Sequence, residues 1–192
     1  MRAKVWIPRP SGEIVAWVRQ EMLERGFTRV DTPSLPFDRL FLGWKETETA
    51  FPLTDKRWEK IPQFARCGCW LEELLHVALP EEALVLVAME YRQEPAGYAD
   101  KVVDRLHADG SYVRSVCTLY GPPTVYRDGK AEVTMPPKQT LLMTAMERAR
   151  TLRVPCTLHR RPGAAPKRGV IVCSLEPRHE RPRPKNEAFS NL

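Results

Sequence analysis

The chain reads as an α+β protein. Its middle is helical and carries a helix-turn-helix, with small sheets around it and a basic two-stranded element toward the C-terminus. Three observations predict this class. Apolar residues recur at helical spacing between residues 69 and 119. Two β-rich runs flank Asp128-Gly129, a pair that favours a type I′ hairpin turn. The whole net charge of +6 falls in the last 42 residues, where nine Lys and Arg face three Glu around two further β-rich runs. At 192 residues, with 43% apolar and 28% charged side chains, the chain can bury a core as one sizeable domain or two small ones.

Residues 1–66 form an N-terminal α/β part. "KVWIPRP" suits a short edge strand closed by prolines. "SGEIVAWVRQEMLERG" is a helix: Ser11 caps it, Ile14, Val18 and Met22 line one stripe beside Trp17, and Gly26 supplies a left-handed stop. "FTRVDTPSLPFDRLFLGW" holds a short strand and a loop. The polar segment after it is irregular, with one helical turn near "TDKRWEKI".

Residues 67–121 form the helical part. "CWLEELLHVAL" places Trp70, Leu71, Leu74, Leu75 and Ala78 on one face. Pro80 ends that helix and starts the next, "PEEALVLVAMEYRQ", whose two glutamates suit the positive end of the helix dipole. Nearly all-round apolarity makes this second helix a buried one.

Residues 122–176 form a hairpin, a helix and a second pair of strands. "TVYRDGKAEVTM" is the hairpin. "PPKQTLLMTAMERARTL" is a proline-started helix with Leu142, Ala145, Met146 and Ala149 on one face. "VPCTLHRR" and "RGVIVCSLE" are strands joined by a basic loop. Residues 177–192 alternate proline with charge and read as a flexible tail.

The functional reading rests on "GYADKVVDRLHADGSYVRSV". With Ala99 as the first position of a twenty-residue helix-turn-helix frame, the inward positions are Val102, Leu106, Ala108, Val113 and Val116, all apolar. "HADG" is then the turn, and a second helix runs from Ser111 to Leu119. Its outward residues Ser111, Tyr112, Arg114, Ser115 and Thr118 suit phosphate and base-edge contacts. The same pattern fits two plain core helices.

"LPEEALVLVAMEYR…GYADKVVDRLHADGSYVRSV" resembles the promoter-reading region of sigma factors and is similar to the helix-turn-helix of phage antitermination proteins. The shared features are Leu79-Pro80-Glu81, Tyr91, Tyr98-Ala99-Asp100 and Gly110–Ser115, about forty residues. His107 stands where that pattern usually has glycine, and Val103 where it prefers alanine. The resemblance implies groove reading by the helix Ser111–Leu119. The C-terminal strands resemble the wing of a winged helix, with Arg160, Arg161, Lys167 and Arg168 on the phosphate backbone.

Enzyme signatures are sparse. Ten glycines stand singly and form no phosphate-binding loop. "CGC" with His76 lacks zinc-ligand spacing, and Cys156 and His159, three apart on a strand, face opposite sides. No metal and no cofactor are expected.

The leading expectation is a non-enzymatic DNA- or RNA-binding protein, a transcription regulator of the kind a phage or mobile element encodes. Two other readings stand beside it. One is a protein-binding module, an inhibitor or a subunit of a larger assembly. The other is an enzyme with a dispersed site. "ALVLVAM" is too short to span a bilayer and the N-terminus lacks an export signal. Five scattered cysteines suit a reducing, cytoplasmic setting.

Overall fold

The computed structural model describes residues 9–31, 62–94, 96–97, 104–136, 139–163 and 167–178. Among the described residues, eight strands form two antiparallel sheets. The major sheet contains β1 (Phe27–Asp31), β6 (Gln139–Thr144), β3 (Val113–Tyr120), β8 (Arg168–Pro177) and β2 (Leu84–Glu94), in that spatial order. The minor sheet runs β5 (Ala131–Thr134), β4 (Val125–Asp128), β7 (His159–Arg160). An isolated antiparallel bridge from His107 to His159 extends it by one position.

Alternation along each strand gives the major sheet two different faces. On one face Val113, Cys117, Leu142, Ile171, Cys173 and Leu175 pack under helices α1 (Gly12–Glu24) and α2 (Pro62–Ala78). Helix α1 forms as its local signals dictate: Ser11 Oγ accepts from the Ile14 N–H at 3.3 Å, and Gly26 takes a φ of +76°. Val18 and Met22 are fully buried. From α2, Leu71, Leu74, Leu75 and Ala78 enter the same core, each leucine contributing about 1.5–3 kcal/mol by burial. On the opposite face, Val116, Leu141, Met143, Val170 and Val172 meet Tyr126 and Met135 of the minor-sheet side. The space between the sheets is therefore lined from both.

The helical middle is corrected to sheet. "PEEALVLVAMEYRQ" is a 3₁₀ turn over Pro80–Glu82 followed by β2. Ala83, left-handed at φ 48°, ends the turn, and the apolar run then pairs with β8 over ten residue pairs. A short apolar run has no period of its own, and tertiary pairing decides it. The recognition helix expected over Ser111–Leu119 is instead β3, held between β6 and β8. The helix expected from Pro136 is strand β6 up to Thr144, with only Met146–Leu152 helical as α3. The two C-terminal strands form no wing. β7 pairs with β4 in one sheet, and β8 with β3 and β2 in the other.

The hairpin between β4 and β5 forms where expected, but its two-residue turn is Gly129-Lys130, because Asp128 stays in β4 opposite Ala131. Of the turn residues only Gly129 is left-handed, at φ 60°, so the turn is not the expected type I′ over Asp128-Gly129. The N-terminal edge strand, the turn near Trp58, much of the first helix of the helix-turn-helix and the tail fall wholly or mostly outside the described residues. No helix among the described residues is long and apolar enough to cross a membrane.

Candidate metal centre

His107 and His159 face each other across the last rung of the minor sheet. Each backbone N–H donates to the other's carbonyl at 2.9 Å. Directly opposed residues of an antiparallel pair present their side chains on one side. The two imidazole centroids are accordingly 4.5 Å apart. Asp109, two residues beyond His107, brings its carboxylate to that same side. One ligand atom from each of His107, Asp109 and His159 lies within 4.8 Å of the others. His159 is also the register partner of buried Tyr126, so the cluster opens between the sheets.

The donors are prepared for a cation. The Arg105 carbonyl lies 2.9 Å from Nδ1 of His107. A carbonyl can only accept, so Nδ1 is the donor of this bond and Nε2 is the nitrogen turned away from it. His159 is 8% exposed. Burial pushes its pKa down to about 4, against the pull of the Asp109 carboxylate; the charges of His107, Arg114 and Arg168 push the same way as burial. Its ring is therefore neutral at pH 7. Its Nε2 stands 3.6 Å from Asp109 Oδ2. Nδ1 of His159 is buried and finds no hydrogen-bond partner among the described residues. Two imidazoles and one carboxylate converging from one side are the donor set of non-haem iron(II) sites, with the other coordination positions left open. The residues fit such an ion.

Cationic side chains surround the cluster. Arg114 donates through Nε to Asp109 Oδ2 at 3.3 Å. Arg161, two residues beyond His159, is buried and grips Asp104 at 2.6 and 2.8 Å. Arg168 at the start of β8 is 4% exposed. It donates through Nη2 to the Thr124 hydroxyl at 2.6 Å and stands 3.6 Å from Glu94. Its Nε is buried with no hydrogen-bond partner among the described residues. A buried guanidinium with an idle N–H is a ready seat for an anion.

The residues expected to touch nucleic acid do not share an exposed face. Tyr112, Ser115 and Thr118 are 5%, 1% and 6% exposed, and the Ser111 hydroxyl is buried. Arg114 is half-buried on its carboxylate. Arg160 pairs with Glu132 at 2.9 Å. Arg161 and Arg168 are buried, and Lys167 is exposed. In the sequence "HADG" reads as a turn and His159 as a strand residue facing away from Cys156, so nothing local singles out His107, Asp109 and His159 as a cluster. The signal that could have found them is His-x-Asp with a distant third ligand.

No protein-family model and no curated protein sequence matches the chain. Solved structures do. A prolyl 4-hydroxylase from Phytophthora capsici superposes with a TM-score of 0.63 at 15% identity, over 91% of this chain and 68% of that one. A putative oxygenase from Shewanella oneidensis gives 0.59 at 12% identity, over 89% of each chain. An oxidoreductase of the 2OG-Fe(II) oxygenase family from Burkholderia pseudomallei gives 0.53 at 10%, over 89% and 92%. The chain thus has the jelly-roll-like fold of these oxygenases. That fold and the His-Asp-His cluster overturn the helix-turn-helix resemblance and the reading of a non-enzymatic, nucleic-acid-binding transcription regulator.

Proposed function

We propose that the protein is an iron(II)- and 2-oxoglutarate-dependent oxygenase. The observation that carries this is the convergence of His107, Asp109 and His159 ligand atoms within 4.8 Å. The fold shared with oxygenases supports it. The three side chains hold the metal from one side. Arg168, with the Thr124 hydroxyl beside it, binds a carboxylate of 2-oxoglutarate, which gives its idle Nε an acceptor. Bound together, iron(II) and 2-oxoglutarate supply the chemistry that transfers one atom of O₂ to an organic substrate while 2-oxoglutarate leaves as succinate and CO₂. The apolar wall of Val116, Val170 and Val172 keeps water out of the space between the sheets. Five cysteines scattered along the chain support a reducing, cytoplasmic setting.

Anaerobic calorimetric titration tests the reading. The wild-type protein takes up Mn(II), and the loaded protein then binds 2-oxoglutarate. Asp109→Ala abolishes the first event. Arg168→Ala keeps the first and weakens the second at least about tenfold, the loss of a charge-assisted contact. A wild-type protein that binds neither Mn(II) nor 2-oxoglutarate sinks the proposal.

A further inference from the structure

Arg114 stands beside a ligand and is not one itself. It projects from β3 opposite Ser174, its register partner on β8, and its Nη1 donates to the Ser174 hydroxyl. Ser174 is 6% exposed. From the same planar group, Nε donates to Asp109 Oδ2 at 3.3 Å. The guanidinium therefore ties the inner face of the major sheet to the segment carrying His107 and Asp109.

We infer that Arg114, locked in place by Ser174, is the positioning residue that holds the Asp109 carboxylate in one plane for the metal. The inference rests on the reading of His107, Asp109 and His159 as a metal centre. An aspartate carboxylate left to itself turns broadly about its last bond, and it can close on a cation with both oxygens, consuming an open position. A donor fixed on one oxygen prevents both. Arginine is suited to the task because its N–H groups diverge rigidly: Ser174 sets the plane through Nη1, and Nε then has one direction to offer Asp109. Lysine keeps the charge and loses that geometry.

Positioning and bare charge predict opposite results. A cation beside a ligand repels a divalent metal, so removing it for electrostatic reasons alone tightens metal binding. Removing a positioning partner loosens binding, typically by about 10–100-fold. The experiment titrates Mn(II) into the full chain by electron paramagnetic resonance and records the visible spectrum of the Co(II)-loaded form. The variants are Arg114→Leu, Arg114→Lys, Ser174→Ala and His107→Ala, each checked for a native circular dichroism spectrum. Expected is a rise of about 10–100-fold in the Mn(II) Kd for Arg114→Leu. Arg114→Lys gives a smaller rise in the same direction, and both shift the Co(II) bands. Ser174→Ala, one hydroxyl smaller, raises the Kd in the same direction and keeps the test standing should Arg114→Leu fail to fold. An unchanged or tighter Kd in the folded Arg114 and Ser174 variants, with wild-type binding intact, overturns the inference and leaves the metal centre standing. Wild-type binding no better than that of His107→Ala overturns the metal centre itself, and the inference with it.

Discussion

His107 and His159 are fifty-two residues apart and exchange both backbone hydrogen bonds at 2.9 Å. That one rung sets two imidazoles side by side, 4.5 Å between centroids, and Asp109, two residues after His107, brings its carboxylate to them. The centre thus rests on backbone pairing more than on loop conformation, and sites built on regular elements hold their geometry well.

A metal that binds only the folded chain stabilises it. Mn(II) at a hundred times its Kd adds about 2.7 kcal/mol to the unfolding free energy. Urea melts with and without Mn(II) measure this, and chelator reverses it. His159→Ala shows no such gain. Equal gains in wild type and His159→Ala place the metal elsewhere.

Arg148 and Glu82 form a fully enclosed ion pair, with side chains 0% and 4% exposed. The guanidinium meets both carboxylate oxygens, at 2.6 and 2.8 Å, and also reaches Thr144 Oγ1 and the Met22 carbonyl. It binds α3 to β6, α1 and the 3₁₀ turn. Arg148→Met leaves Glu82 buried and unpaired and costs about 3–5 kcal/mol, whereas Arg148→Met with Glu82→Leu recovers most of it. Chemical unfolding of both variants is the measurement, and equal losses contradict this account.

Two glycines with left-handed backbone differ in the space around them. Gly26 has φ +76° and an added Cβ would lie 2.1 Å from the Pro155 carbonyl oxygen, whereas Gly129 has φ +60° and nothing within 4 Å. Gly129→Ala therefore costs about 1 kcal/mol, the left-handed penalty alone. Gly26→Ala costs several-fold more, because the Gly26 carbonyl also accepts from the Thr144 N–H and the Thr157 hydroxyl, each at 2.7 Å. Comparable unfolding midpoints for the two variants would refute the contrast.

Burial raises the phenol pKa of Tyr112 and Tyr126, and the Glu82 carboxylate adds to the effect at Tyr112. In the unfolded chain both ionise at about pH 10. An acid whose folded pKa is raised contributes stability that is fully present below the unfolded value and is lost as pH climbs past it. Ultraviolet titration is expected to show these two of the five tyrosines ionising late and together with unfolding. Tyr112→Phe removes its share of the alkaline loss. Smooth ionisation of all five tyrosines at the ordinary phenol value in folded protein would contradict the burial.

What the chain determines by itself is what a few neighbouring residues can enforce. Ser11 reaches an N–H three residues on, Gly26 permits the left-handed exit of α1, and left-handed Gly129, with Lys130, turns a hairpin back on itself. Each is closed within a handful of positions, so helix α1 and the β4–β5 hairpin are legible. Strands β3 and β6 are not, because their apolar runs are buried on both faces or nearly so. Edge strand β2 is not either, because its apolar run carries no visible alternation although Val87 is exposed. Val113–Tyr120 becomes a strand through partners at residues 140–144 and 169–175. The same holds for the centre. His107 and Asp109 are two residues apart, and the rung that brings His159 to them belongs to the folded sheet. Local chemistry specified caps and turns; only long-range pairing could turn three scattered side chains into one site.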